Sequence, residues 1–183
     1  MTPPTHAQVL GDDKQSVLVR QILAQQPREL AYTQFIDIFL ISPSHESELI
    51  RKFIDRARNG DGNAFAQVAF MIWQGDSGFR VGKAAAELAL SKAILDGAGA
   101  GAFFMGETYL QAPADTDAAR ADLFKTALYW FGMASGMGVP PAHDRARVVM
   151  QEIESMIKVD RNDLVKLFNN GLAVGKPAQK ISS

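Results

Sequence analysis

Three stretches of the chain carry residue types that could do chemistry. Gly97-Ala98-Gly99-Ala100-Gly101-Ala102 has the spacing of a dinucleotide-binding loop, which presents a helix N-terminus to pyrophosphate. That loop must follow a strand, and an alanine-rich helical stretch precedes Gly97, so the run reads as a turn between helices. Asn59-Gly60-Asp61-Gly62-Asn63 has the residue types of a calcium loop. The bidentate Glu that such a loop needs near its twelfth position is replaced by Phe70, which leaves a helix–helix turn with Asn63 as a cap. His6, His45 and His143 include no pair close enough to place two ligands on one helical face. His143 and Asp144 are adjacent, and successive helical side chains diverge, so they make no base and orienting partner. No serine sits in a nucleophile-elbow glycine pattern.

There is no cysteine, which excludes thiolate metal sites, disulfides and cysteine nucleophiles. The sequence therefore predicts no catalytic residue, no cofactor and no metal site. The formal net charge is -1, and no dense Lys/Arg run offers phosphates a basic face, so nucleic acid is not an expected partner. The longest apolar stretch, Phe35 to Ile41, is far below the roughly 20 residues that span a bilayer. Met1 to Gln15 lacks the cationic start and apolar run of a signal peptide. A soluble, cytoplasmic protein without a membrane partner is the expectation. Apolar residues make up 47% of the chain, enough for a packed core.

The elements expected to hold these residues are helices. Residues 1–11, with Pro3 and Pro4, read as a flexible arm. A helix opening at Asp12 or Asp13 would carry Val17, Leu18, Ile22 and Leu23 on one face and stop at Pro27. A second, Glu29 to Leu40, carries Leu30, Phe35, Ile36, Phe39 and Leu40. Its β-branched and aromatic content keeps a strand over Phe35 to Ile41 as the alternative. Ser42-Pro43-Ser44 breaks it, and a third helix from Ser44 or His45 carries Leu49, Ile50, Phe53, Ile54 and Ala57.

The middle of the chain repeats. Ala64, Val68, Ala69, Ile72 and Gly75 become Gly101, Met105, Gly106, Tyr109 and Ala112 on adding 37, the same small–large order twice. Ala86, Ala89, Ala93 and Gly97 become Ala127, Trp130, Ala134 and Gly138 on adding 41. The four extra residues are expected in the connection Gln111 to Asp117. Small residues such as Ala69 and Gly106 let a neighbouring helix approach, and Gly97 and Gly138 stand where a left-handed helix terminator is wanted. A two-helix unit repeating near 37 residues is the mark of an α-solenoid.

These residues resemble the Sel1-like repeat family, of tetratricopeptide type. Ala64–Gly75 and Gly101–Ala112 match its first helix. Ala127, Trp130, Ala134, Ser135 and Gly138 match its second, and Ala86–Gly97 do so with Ala89 in place of the aromatic residue. Ala69, Ile72 and Ala112 depart from the usual Gly, Tyr and Gly. The resemblance implies an all-α, right-handed α-solenoid of antiparallel helix pairs with N- and C-terminal capping helices. Residues 12–61 would be N-terminal helices with Glu29 to Asn59 as a divergent unit, and 62–138 two repeats. Residues 139–171 would be a degenerate repeat and capping helices, carrying Val148, Val149, Ile153, Met156 and Ile157, then Leu164, Val165, Leu167 and Phe168 from Asp160 or Asn162 to Gly171. Residues 172–183 would be a disordered tail.

It also implies a non-enzymatic adaptor or scaffold that binds a protein or peptide on the concave face lined by first helices. A bacterial effector chaperone or immunity protein would be a specific form; an enzyme or small-molecule-binding regulator is the alternative. The variable first-helix positions Gln67, Met71 and Gln74, then Phe104, Thr108 and Gln111, mix adaptable apolar and amide side chains suited to a peptide or partner helix. Trp73 joins this partner-binding set as a potential anchor, although core packing weighs more heavily for it; Trp130 is expected in the core. An exposed end helix leaves monomer or homodimer open.

Overall fold

The computed structural model describes residues 14–40, 48–75 and 78–177. The described residues form helices α1 (Lys14–Leu23), α2 (Arg28–Phe39), α3 (Glu48–Arg58), α4 (Gly62–Gln74), α5 (Lys83–Leu95), α6 (Gly99–Gln111), α7 (Asp117–Gly136), α8 (Ala142–Met156) and α9 (Arg161–Gly175). The all-helical expectation is correct for them, and Phe35–Phe39 are helical rather than a strand. Extended pairing among them is limited to an isolated bridge between Leu40 and Phe79. The arm, the Asp12/Asp13 start, the Ser42-Pro43-Ser44 break, the start at Ser44 or His45, and residues 178–183 lie outside the described residues.

Three helix ends are built alike. α3, α5 and α7 stop at Gly60, Gly97 and Gly138, whose φ values are 87°, 86° and 87°. At each, the glycine N–H donates three residues back, to Ala57, Ile94 and Ser135, and the next N–H donates five residues back, to Arg56, Ala93 and Ala134. This paired bonding is the glycine-dependent Schellman ending, which satisfies carbonyls the helix leaves free. The spacing expected of Gly97 and Gly138 thus extends one step earlier, to Gly60. Asp61, rather than Asn63, then caps α4 by accepting from the Ala64 N–H at 3.0 Å. Asn63 instead reaches α6, where its Oδ1 accepts from the Ala100 N–H at 3.1 Å.

The connection expected to be long, Gln111 to Asp117, is short. α7 has 20 residues against 13 in α5, while residues 112–116 make a shorter connection than 75–82. α7 starts this early because Thr116 caps it, accepting from the Ala119 N–H at 3.1 Å, and Ala118, Ala119 and Ala121 continue a good helix.

The chain divides into two compact units, the described residues up to Phe104 and those from Met105 on. In the first, α4 packs on α3 and α5, α2 on α1 and α3, and α1 on α5. Val19 rather than Val17 or Leu18 joins Ile22 and Leu23 on the buried side of α1, while Val17, Leu18 and, on α2, Leu30 stay about 40% exposed. Tyr32 stacks on Phe65 at 4.0 Å between ring centroids, and Phe35 meets Phe65 edge-on at 5.5 Å. Gly101 lets α6 approach α5, since a Cβ there would stand 2.9 Å from the Leu90 carbonyl oxygen.

In the second unit, α7 packs on α8 and, most extensively, on α9. Gly106 of α6 accepts the ring of Phe131, 2.8 Å from where a Cβ would be. Trp130 is in the core, as expected, at 2% exposure. The α7–α9 seam is reciprocal. A Cβ on Gly132 or Gly136 of α7 would collide with the Phe168 or Leu172 carbonyl oxygen, and one on Gly171 or Gly175 of α9 with that of Tyr129 or Met133. Gly171 is therefore a buried packing residue inside α9, not its end. Backbones this close trade side-chain burial for dispersion and Cα–H···O contacts.

Candidate functional site

The predicted partner-binding residues differ in exposure. Gln74 and Gln111 are exposed, and Gln67, Met71 and Phe104 are half-buried. Gln67, Met71 and Gln74 follow one another at four- and three-residue steps, so they share a face of α4. Trp73 and Thr108 are corrections: they are 4% and 0% exposed and present no surface to a partner. The Trp73 ring is covered by the Lys83 ammonium 4.1 Å from its centroid, and its Nε1–H donates to the buried Glu87 at 3.3 Å. Thr108 is satisfied inside its own helix, its hydroxyl donating to the Met105 carbonyl at 2.7 Å. Phe70 links this region, stacked on Phe104 at 4.8 Å and on Trp73 at 6.3 Å.

A tighter polar cluster joins α2 to the end of α5. The Tyr32 hydroxyl donates to Asp96 Oδ2 at 2.5 Å, Lys92 Nζ lies 3.1 Å from Asp96 Oδ1, and Arg28 donates to the Asp96 carbonyl. Burial, then the hydrogen bond and charge of Asp96, push the Tyr32 phenol far above its ordinary range. Tyr32 is fully buried, so the cluster locks two elements rather than facing a ligand. In the second unit, Arg145 forks onto Glu107 at 2.7 and 3.2 Å. Donating to that carboxylate raises the guanidinium further against a burial that lowers it, and the pair fixes the start of α8 to α6.

A groove lies between α8 and α9. α8 contributes His143, Ala146, Arg147 and Met150, and α9 contributes Arg161, Val165, Phe168 and Asn169, around about 250 Å³. Within each helix these residues recur three and four apart, so each set is one stripe. The groove exists because α9 is drawn tightly onto α7 while α8 and α9 touch each other little. Its floor is apolar: Ala146, Met150 and Phe168 are 1%, 7% and 6% exposed, and Val165 stands up at 37%. His143 sets its ring edge-on to Phe168 at 5.6 Å. The rim holds Arg147, 3.2 Å from Asp144, and Arg161, 2.8 Å from Glu154. Such a site can seat an apolar side chain and pair a carboxylate; it brings no nucleophile, base and orienting partner into one chain of hydrogen bonds. Among the described residues, no three His, Asp or Glu side chains gather as a metal site, and no helix is long and apolar enough to cross a membrane.

Residues 139–171 are expected as a degenerate repeat and capping helices, a reading that does not single out this groove; the available signal is the apolar and cationic stripe at positions 143, 146, 147 and 150. Comparisons with protein-family models, curated proteins and solved structures find no match.

Proposed function

We propose that this protein is a non-enzymatic interaction module, a short α-solenoid of Sel1-like helix pairs, that holds a segment of a partner protein in the α8–α9 groove. The observation that carries the proposal is the pairing of an apolar floor with cationic, hydrogen-bonding rim residues in one open groove. That combination anchors a side chain and orients the segment bearing it. The thrice-repeated glycine ending supports the repeat reading, because it produces one helix–turn–helix junction per unit. Adaptor, effector chaperone and immunity protein are the forms this activity would take in a bacterial cytoplasm.

The test is capture of a partner from the native host by full-length protein, comparing Val165→Glu with a Met71→Glu, Phe104→Glu double variant. The expected result is one stoichiometric partner, lost with Val165→Glu and kept with the double variant. The reverse pattern would move the site to the α4 face. A folded bait that recovers nothing, yet is stabilised by one compound in a metabolite thermal-shift screen, would replace the adaptor with a small-molecule regulator.

A further inference from the structure

The composition of the groove constrains its occupant. The lining presents two guanidiniums and an imidazole, from Arg147, Arg161 and His143, and no carboxylate, in a chain whose formal net charge is -1. At about 250 Å³ the space falls below the range of drug-sized ligand pockets, which suits one anchoring side chain better than a whole metabolite. Resting on the groove as the partner site, we propose that its occupant is an acidic, amphipathic peptide segment. One bulky aliphatic or aromatic side chain sits on Met150, Val165 and Phe168, and an Asp or Glu within about one helical turn of it reaches Arg147 or Arg161.

The arginines are available for this. The Arg147 and Arg161 side chains are 62% and 48% exposed, and their partners Asp144 and Glu154 are 75% and 30% exposed. Exposed pairs of this kind contribute little to stability, so a guanidinium can share or exchange its carboxylate at small cost. A ligand carboxylate lying over Phe168 and Met150 would be partly shielded from water, where the same charge contact is stronger. Asp144 and Glu154 stand beside the guanidiniums but outside the lining, so a basic segment in the groove finds no carboxylate there to pair with, whereas an acidic one finds two donors. A single-stranded nucleic acid could also satisfy the arginines and stack a base on the floor, but a chain whose formal net charge is -1 offers its phosphates no wider basic face.

The experiment pans a random 12-residue phage-displayed peptide library on the immobilised full chain. Selected sequences are then remade as soluble labelled peptides for anisotropy titration against four proteins. These are the unaltered chain, Val165→Glu, Arg147→Gln with Arg161→Gln, and Asp144→Asn with Glu154→Gln; circular dichroism confirms that each is folded. The selected peptides should pair a bulky apolar residue with Asp or Glu within four positions. Their affinity should fall about tenfold without the arginines and vanish with Val165→Glu. It should rise about two- to threefold when the competing carboxylates are neutralised. Peptides that need Val165 but ignore the arginines would overturn the acidic occupant and leave the groove as a site. A failure to select any groove-dependent peptide would overturn both. A 12-nucleotide single strand that displaces the peptides in an arginine-dependent way would overturn the peptide in favour of nucleic acid.

Discussion

Replacing Gly171 by alanine opposes two effects of known size. Alanine is the better helix former by about 1 kcal/mol, so an isolated α9 would gain stability. In the folded chain the new Cβ overlaps the Tyr129 carbonyl oxygen and lies 2.8 Å from the Met133 nitrogen and the Tyr129 carbonyl carbon. Carbon and oxygen rest about 3.3 Å apart even in favourable Cα–H···O contacts, and every atom in the way is backbone, so no rotamer change relieves the overlap. α9 must lift from α7. Because both helices are stiff, the contacts of Gly132, Gly136 and Gly175 along the same seam loosen together. Overpacking typically costs 1–3 kcal/mol, and an immovable neighbour puts this site at or above the top of that range. The net loss should be about 2 kcal/mol, or about 4–8 °C in Tm for a chain of this size.

Urea denaturation followed by circular dichroism at 222 nm measures this loss, with Ala173→Gly on the exposed side of α9 as the control. The control should lose only the propensity difference of about 1 kcal/mol. A Gly132→Ala, Gly171→Ala double variant should lose less than the two single losses added, because one displacement of α9 relieves both sites. A Gly171→Ala protein as stable as the parent would refute the close seam.

Gly97→Ala and Gly138→Ala should each cost about 1–2 kcal/mol in the same assay. The cause there is φ near +87° alone, since a Cβ at either site meets nothing within 4 Å; asparagine, which tolerates that conformation, should recover part of the loss. At Asp61 burial works against the charge, but the Ala64 N–H, Arg56 and the Asn63 N–H outweigh it and hold the carboxyl below its ordinary value. A lowered folded pKa stabilises above the unfolded value and is lost as pH falls toward the folded one. Asp61→Ala should therefore cost about 1 kcal/mol at pH 7, with a gap that narrows below pH about 4, as urea midpoints across pH would reveal. The Tyr32 phenol has a raised folded pKa, so its contribution is complete below the unfolded value near pH 10 and declines above it. Tyr32→Phe should leave the 295 nm alkaline titration unchanged until the fold opens, and should lose stability less steeply above pH 10 than the parent.

The legible features are those in which one local requirement dictates one residue type. A helix that must stop and turn needs φ near +87°, so Gly97 and Gly138 could be read from position alone, and the bonding around them was then fixed by chain geometry. Gly171 was misread because packing also demands glycine, for a reason that lies on another helix. The distinction was nevertheless present in the sequence. Leu172 and Val174 continue the apolar content past Gly171, and Gly132/Gly136 and Gly171/Gly175 carry the same four-residue spacing on two different helices. A terminator has no use for such a partner, whereas two backbones in close contact along a seam need small residues once per turn on both sides. Burial of Trp73 and Thr108 was hidden for a related reason. Their polar atoms are satisfied by Glu87 and by the Met105 carbonyl, so polarity gave no warning that they face inward. The groove shows the converse: its arginines and histidine look like ordinary solvated cap residues until the seam draws α9 onto α7 and leaves α8 standing apart from it.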